Sequence, residues 1–242
     1  MKIGIIGDIH ANIDALRAVL AAFEQEGVEQ ILCTGDVVGY GASPCECIDL
    51  LRERNIPTVK GNHDEYVTQI GADWRIRPDA KAAILWTQGV LTDSYMKWLT
   101  ELPRILHFKN FAVLHSSHVW SPQWPYVTSE RAAINNFMFQ DVRISFNGHS
   151  HLPLCISHEK RHRPRLEMLR NMFMPRKRRL LIGVGSVGQP RDGDPRSCCV
   201  IYDTSEMSLR ILRVPYDIAA AQKRIRDAGL PADLADRLLV GH

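Results

Sequence analysis

Short apolar runs alternate with longer amphipathic segments along the first sixty residues of the chain. The runs are continuous and rich in β-branched residues, which predicts buried parallel strands over residues 2–6, 29–34 and 57–59. Between them, apolar residues recur at helical spacing, which predicts one helix from the N-cap Asn12 to Gly27 and another over residues 44–54. This order of elements is typical of βαβ crossovers and predicts a parallel sheet.

The middle of the chain, residues 65–103, has helical patterning, with most of its apolar side chains in residues 80–87 and 95–99. A hairpin is predicted next, with strands over residues 105–108 and 111–114. A helix over residues 129–138 and a strand over residues 142–146 follow it. Short strands separated by turns come next and suit a second sheet packed against the first. They cover residues 152–157, 165–169, 180–184, 197–202 and 209–214.

The last segments predict two short helices over residues 215–228 and 231–240, each with a proline in its first turn. No internal repeat or linker in the sequence requires a second domain. We therefore predict one domain over residues 1–242, with a helical insertion at about 65–103 and C-terminal helices at about 215–240.

Polar side chains with metal-binding groups follow the predicted strands, at the points where the strands end. They are Asp8, His10, Asp36, Asn62, His63, His115, His149 and His151. Because open α/β sheets build their sites beyond the carboxyl ends of parallel strands, we expect these side chains to converge on one crevice. A single histidine is more often a core or surface residue, but so many ligand groups at strand ends indicate a metal site. Carboxylate, imidazole and amide groups together suit Mn, Fe, Zn or Ni.

The same residues carry a resemblance to a known family. They form the ordered motifs Asp8-x-His10, Gly35-Asp36, Gly61-Asn62-His63-Asp64, His115 and Gly148-His149-x-His151. In this order they resemble the motifs of the calcineurin-like metallophosphoesterases, over about residues 1–215, and the small prokaryotic phosphodiesterase-like members in particular. The resemblance implies an α/β fold, a four-layer α/β/β/α sandwich of two mixed sheets flanked by helices, with a dinuclear metal site.

The resemblance also implies a role for each site residue. The first metal ion would be held by Asp8, His10 and His151, and the second by Asn62, His115 and His149, with Asp36 bridging the two. His63, oriented by Asp64, would face the substrate phosphate. A protonated His63 would stabilise the leaving oxygen, and Asp64 would raise the pKa of His63. The cofactors would be two divalent metal ions, with Mn first and Fe, Zn, Ni or Mg as alternatives.

These roles imply a metal-dependent phosphoric ester hydrolase that cleaves phosphodiester or phosphomonoester bonds by a metal-bridging hydroxide. Two metal ions about 3.5–4 Å apart can share one hydroxide and hold the phosphoryl oxygens for attack. A small phosphoester or nucleotide is the expected substrate. The alternatives are a phosphoprotein or diadenosine tetraphosphate phosphatase and, in another class, a catalytically silent metal-bound binding module.

Three further residues are candidates for substrate binding. Residues 185–196 resemble a loop of the small prokaryotic members, and Arg191 in this loop could reach a phosphate, although a loop tied by Arg–Asp pairs explains it equally well. Asn12 and Tyr40 are the others, with a helix cap and a packed ring as their alternatives. Ser116 stands where the family usually has glycine. The loop after it is expected to form one wall of the substrate cleft, with Trp120, Trp124 and Tyr126.

Composition sets limits on the partners. The formal net charge of +3 is too small to indicate nucleic acid, and the basic runs 158–163 and 175–179 lack interleaved aromatic residues, so we expect solvated hairpin ends there. Residues 170–179 are expected to be a mobile surface excursion. The start of the chain does not resemble a signal peptide, and no apolar run reaches the roughly 20 residues that cross a bilayer. We expect a cytoplasmic protein without a membrane partner, and a homo-oligomer stays open.

Overall fold

The computed structural model describes residues 1–72 and 74–242 of the chain. Within these ranges the strands are β1 Lys2–Ile6, β2 Gln30–Cys33, β3 Ile105–His107, β4 Phe111–Leu114, β5 Ile144–Asn147, β6 Pro153–His158, β7 Arg165–Met168, β8 Met172–Phe173, β9 Arg179–Val184, β10 Ser197–Asp203 and β11 Ser208–Val214. The helices are α1 Ile13–Gln25, α2 Pro44–Glu53, α3 Asn62–Thr68, α4 Pro78–Val90, α5 Asp93–Glu101, α6 Glu130–Phe139, α7 Ile218–Asp227 and α8 Ala232–Asp236, followed by a 3-10 helix, Arg237–Leu239.

Most of the predicted elements are present within a few residues of their expected positions. Asn12 is the N-cap of α1, and its side-chain oxygen accepts a hydrogen bond from the backbone N–H of Ala15. The predicted third strand, residues 57–59, is reduced to a single bridge between Thr58 and Cys33. Pro231 is the N-cap of α8 and Pro215 precedes α7 by three residues, so neither lies inside a first turn.

Two mixed sheets form the centre of the fold. The strand order is β2-β1-β10-β11-β8 in the first sheet and β3-β4-β5-β9-β6-β7 in the second. Strand β1 is parallel to β2, and β5 is parallel to β4 and β9, whereas β10 is antiparallel to β1. The prediction that residues 152–213 form a separate sheet is wrong, because these strands divide between both sheets. Strand β10 is buried from Ser197 to Tyr202, as a central strand covered on both faces must be.

The sheets pack face to face, with helices on both outer faces, in the four-layer sandwich that the family resemblance implied. In β1, Ile3 and Ile5 lie in the apolar layer between the sheets, whereas Ile6 belongs to the core cluster formed with α1. In β9, Leu180 lies in the layer between the sheets and Leu181 packs with α6. Both faces of the central strands are therefore apolar, and polar groups collect in the loops beyond the strand ends.

The surface segments differ in how closely they join this core. No helix in the described part of the chain is long and apolar enough to cross a bilayer. The basic run 158–163 continues from the end of β6 into the exposed turn before β7, as predicted for a hairpin end. The prediction that residues 170–179 form a mobile surface excursion is wrong in part. This segment contains β8, which pairs with β11 at the edge of the first sheet.

Candidate metal centre

The eight predicted site residues are all buried and lie just beyond strands or at the start of a helix. Asp8 and His10 follow β1, Asp36 follows β2, Asn62 and His63 begin α3, His115 follows β4, and His149 and His151 follow β5. Because β1 and β2 are parallel, as are β4 and β5, the carboxyl ends of each pair lie at one edge of their sheet. The structure brings the eight side chains together, as their spacing along the chain predicted.

The backbone of this site is strained. Five of the residues have a positive φ between 48° and 66°: Asp8, His10, Asp36, His149 and His151. This left-handed region is uncommon for residues other than glycine, and such strain persists only where the surrounding structure imposes it. Nothing in the spacing of these residues predicts their backbone conformation.

Four of the histidines share one arrangement: a ring nitrogen lies against a backbone carbonyl oxygen. The contacts are His10 Nδ1 with Val38 at 3.1 Å, His115 Nδ1 with Thr34 at 2.8 Å, His151 Nδ1 with Gln189 at 2.5 Å and His149 Nε2 with Trp124 at 2.7 Å. A carbonyl oxygen only accepts hydrogen bonds, so each of these nitrogens carries the proton. In the neutral ring, the other nitrogen then offers a lone pair, and this is how metal-binding histidines are usually oriented.

The close approach of His10 and His151 indicates whether the site suits a cation. Their Nε2 atoms lie 3.0 Å apart, and the Nδ1 atom of each ring already donates to a carbonyl. Burial lowers the pKa of both imidazoles well below the usual range, so both rings are neutral at neutral pH. Two lone pairs then face each other without a proton between them. A divalent cation that accepts both lone pairs removes this repulsion, so the donor set fits a metal.

The carboxylate of Asp36 lies at the middle of the cluster. Its Oδ2 is 3.6 Å from His10 Nε2 and 3.4 Å from His115 Nε2, while its Oδ1 accepts the backbone N–H of His63 at 2.8 Å. Burial opposes ionisation of Asp36, but the charges of His115 and His63 outweigh burial and hold its pKa well below the usual range. Burial likewise disfavours protonation of His115, yet Asp36 and Asp8 raise its pKa to about 9. A metal ion would replace the proton of His115.

Two groups of donors correspond to the two predicted metal sites. Within each group, one ligand atom from each residue lies within 4.8 Å of the others. The groups are Asp8 with His10 and His151, and Asp36 with His115 and His149. Asn62 joins the second group, because its Oδ1 lies 3.0 Å from His115 Nε2. Asp36 also forms a group with His10 and His63, which places it between the two sets. Carboxylates and neutral imidazoles in this arrangement suit divalent metals of intermediate softness.

His63 differs from the other histidines of the cluster. Its Nδ1 is buried and has no hydrogen-bond partner among the described residues, and its ring lines an open cleft beside the cluster. Burial lowers its pKa to about 4, although the charge of Asp36 acts in the opposite direction. The ring packs between His10 at 4.9 Å and Tyr40 at 4.5 Å, measured between ring centroids. The ring therefore borders the cleft, while its buried Nδ1 lies against Gly39.

The prediction that Asp64 orients His63 and raises its pKa is wrong. Both carboxylate oxygens of Asp64 accept backbone N–H groups instead. Oδ2 accepts from Asp36 and Gly61, and Oδ1 accepts from Val37 and Val38, at 2.9–3.2 Å. Burial raises the pKa of Asp64 to about 6, so it is ionised at neutral pH. Asp64 therefore fixes the loop that carries Asp36, and it acts on the backbone rather than on the imidazole beside it.

Trp124 contacts both histidines of the second donor group. Its carbonyl accepts from His149 Nε2, and its ring lies 5.5 Å from that of His115. The indole N–H donates to Glu65 at 2.8 Å, and Arg104 lies over the indole ring and pairs with the same carboxylate. Sequence reasoning assigned Trp124 to the cleft wall and missed this role, because a backbone carbonyl leaves no signal in the sequence.

The three substrate-binding candidates differ in their positions relative to the cleft. Tyr40 and Arg191 line the cleft beside His63, which has a volume of about 400 Å3. Asn12 does not: its Oδ1 caps α1, and its Nδ2 donates to the carbonyl of Gly188 at 3.0 Å. Both polar groups of Asn12 are thus engaged in the fold, and the structure shows the helix cap that was the alternative reading of this residue.

The side chain of Ser116, which stands in place of the family's usual glycine, is accommodated by hydrogen bonds within its loop. Its hydroxyl donates to the carbonyl of Pro125 at 2.5 Å, and its own carbonyl accepts from the Asn147 side chain at 2.7 Å. The serine therefore closes the loop that carries Trp124 and Tyr126, both of which line the cleft as predicted. Trp120, the third residue predicted for this wall, is exposed and does not line the cleft. Four arginines also line the cleft, and only Arg191 was foreseen, because the others come from connections and a C-terminal helix far away along the chain.

Comparison with known proteins places these observations in a family. The family model of the calcineurin-like phosphoesterase superfamily domain matches residues 1–207. An uncharacterized protein of Methanocaldococcus jannaschii is 35% identical, and the alignment covers 99% of this chain and 98% of that protein. The crystal structure of a metallophosphoesterase from Sphaerobacter thermophilus is 37% identical, with a TM-score of 0.86, and the alignment covers 100% of this chain and 99% of that one.

A more distant similarity concerns a protein with a named activity. A symmetrical bis(5′-nucleosyl)-tetraphosphatase of Actinobacillus succinogenes is 25% identical to the chain. The alignment covers 55% of this chain and 50% of that enzyme, so the chain spans about half the length of this relative.

Proposed function

Because the chain belongs to the calcineurin-like phosphoesterase superfamily, we propose that it is a hydrolase of phosphoric esters that depends on two divalent metal ions. One observation carries the metal dependence. The facing Nε2 atoms of His10 and His151, beside the carboxylates of Asp8 and Asp36, form an arrangement that a cation stabilises and a proton does not. The relative with a named activity is also a phosphohydrolase.

The residues of the chain have distinct tasks in this proposal. Asp8, His10 and His151 would hold one metal ion, Asn62, His115 and His149 would hold the other, and Asp36 would contribute to both. When bound, the metal pair supplies a nucleophile by lowering the pKa of water and offsets the charge of the phosphoryl oxygens. The backbone carbonyls behind the four histidines fix which nitrogen of each ring faces the metal.

His63 is the residue that we assign to the leaving group. Its pKa of about 4 means that it is neutral before substrate arrives. A phosphate dianion or monoanion in the cleft favours the imidazolium form, because an opposite charge nearby raises the pKa of a histidine. The protonated ring then stabilises the leaving oxygen or donates its proton to it. We place small phosphodiesters and nucleotides ahead of phosphoproteins as substrates, and Mn(II) first among the metals.

The test compares metal content with turnover. Chelator-treated protein is reconstituted with Mn(II), its metal content is measured, and hydrolysis of bis-p-nitrophenyl phosphate and p-nitrophenyl phosphate is followed. We expect two metal ions per chain and turnover of at least one substrate. His63→Ala should retain both metal ions and lose roughly 100- to 10,000-fold in kcat. His162→Ala removes an exposed imidazole at the β6–β7 turn and is the control. Full metal occupancy without turnover would instead support the binding module.

A further inference from the structure

The cleft in front of His63 concentrates positive charge. It is lined by four arginines from separate parts of the chain: Arg75, Arg77, Arg191 and Arg237. Among the described residues that line it, there is no aspartate or glutamate. The formal net charge of the whole chain is only +3, so the four arginines around about 400 Å3 are a local concentration of positive charge. Such a concentration favours ligands with several negative charges.

In the described structure, Arg191 and Arg237 donate hydrogen bonds to no aspartate or glutamate side chain. Arg191 donates to the side-chain oxygen of Gln189 at 2.8 Å, and its buried Nε has no partner among the described residues. Arg237 donates to the backbone oxygen of His242. Burial lowers the pKa of Arg237, and the charge of Arg191 lowers it further. Both arginines line the same cleft, and two guanidinium groups are stabilised when an anion lies between them.

Arg77 differs from this pair, because its Nε and Nη2 already donate to the carboxylate of Asp79, at 3.1 Å each. Its side chain is also largely exposed. The charge of Arg77 is therefore partly offset within the protein. The pair formed by Arg191 and Arg237 is what distinguishes the cleft from an ordinary basic surface.

Aromatic rings line the same cleft. Tyr126 stacks on His149 with ring centroids 4.0 Å apart and planes 9° from parallel, so one face of Tyr126 is covered by a proposed metal ligand. The side chain is nevertheless 51% exposed, which leaves its other face accessible. Tyr66 also lines the cleft. An accessible tyrosine face beside arginines is suited to stack a nucleobase.

We propose that this cleft binds a nucleoside oligophosphate, with the base on Tyr126 and at least one phosphate beyond the reacting one between Arg191 and Arg237. The inference rests on the proposed function, which places the reacting phosphate at the metal centre. A phosphodiester with a single negative charge would leave the arginine pair without an anion. Guanidinium groups bind phosphate through two parallel hydrogen bonds, and the buried Nε of Arg191 has no hydrogen-bond partner among the described residues.

Binding is measured by calorimetry on the full-length protein, as purified and after chelation, with adenosine, AMP, pyrophosphate and the hydrolysis-resistant α,β-methylene ADP. We expect α,β-methylene ADP to bind at least tenfold more tightly than AMP or adenosine. Arg191→Gln and Arg237→Gln should each weaken its binding about tenfold, and Arg191→Lys should restore part of the loss. Tyr126→Ala should weaken α,β-methylene ADP and leave pyrophosphate unchanged. Arg54→Gln, an exposed arginine paired with Glu24, is the control.

The proposal is overturned if α,β-methylene ADP binds no more tightly than AMP, or if both arginine variants bind it within twofold of the unmodified protein. Tighter binding of a phosphoserine peptide would also overturn it. Turnover of bis-p-nitrophenyl phosphate is assayed separately on the same preparations. Turnover without selective binding removes the nucleotide site and leaves the hydrolase intact, whereas selective binding without turnover removes the hydrolase and leaves the site.

Discussion

Replacement of Asp64 by asparagine separates a structural role from a catalytic one. The carboxylate of Asp64 accepts four backbone N–H groups with its two oxygens, and the residue is fully buried. An asparagine of the same shape offers one acceptor oxygen and one NH2 group. The NH2 group would face two backbone N–H donors, whichever way the amide is oriented. Asp64→Asn therefore leaves two buried N–H groups without an acceptor.

The expected loss of stability follows from these two groups. A buried donor without a partner costs about 1–3 kcal/mol, so the free energy of unfolding should fall by about 2–6 kcal/mol. This is a large part of the total of about 5–15 kcal/mol that is typical of natural proteins. The carboxylate is ionised throughout the measurement if the buffer is at pH 8, since the pKa of Asp64 is about 6.

The assay is urea unfolding of chelator-treated protein at pH 8, which excludes any contribution from bound metal. Asp217→Asn is the matched control, because its carboxylate accepts a single N–H, from Ala220, as the N-cap of α7. Asparagine caps helices about as well as aspartate, so the control should change stability by less than about 0.5 kcal/mol. The reasoning is refuted if Asp64→Asn unfolds within about 1 kcal/mol of the unmodified protein while its turnover collapses, since the carboxylate would then act through His63.

Three further outcomes are expected. Saturating Mn(II) should raise the melting temperature, by the equivalent of about 2.7 kcal/mol per site at one hundred times Kd. His151→Ala should abolish the part of this rise that comes from its own site, and an unchanged melting temperature in the unmodified protein would contradict the metal site. Gly61→Ala would place a methyl group 2.1 Å from Asp36 Oδ1 and should weaken metal binding at least tenfold by titration, whereas Gly89→Ala, with nothing within 4 Å, should not. Burial lowers the pKa of His118 to about 4, so the unfolded chain takes up the proton first, and the free energy of unfolding falls as the pH decreases from about 6.5 to 4. In urea unfolding, His118→Gln should lose less stability over this pH range than the unmodified protein. Parallel pH profiles of the two proteins would refute this.

The local pattern of apolar residues was sufficient to predict most of the fold. In β1, α1 and β2, the positions of the apolar residues in the sequence coincide with the positions that are buried in the structure. The ligand set was predictable for the same reason: a polar residue after an apolar strand stands out. The place of β10 between β1 and β11 was not, because pairing between strands distant in the chain leaves no local pattern.

Two features of the site illustrate what a sequence cannot reveal. The carboxylate of Asp64 lies next to His63 along the chain but is directed at backbone N–H groups of the preceding loop. The carbonyl of Trp124 contacts His149, and every residue type has a carbonyl. Adjacency in the sequence suggested the first contact wrongly, and chemistry common to all residues concealed the second. Arg237 was missed because its approach to the cleft depends on how the C-terminal helices pack.

The neighbours of β1 also have a consequence for biosynthesis. Every proposed metal ligand lies between residues 8 and 151, yet β1 stays without one of its two partners until Ser197–Asp203 has been made. At the usual rate of translation, about 5–20 residues per second, the strand that carries Asp8 waits roughly 10–40 s for that neighbour. A nascent chain thus displays the complete set of donors before the framework that positions them exists. Acquisition of metal should therefore be among the last steps in maturation.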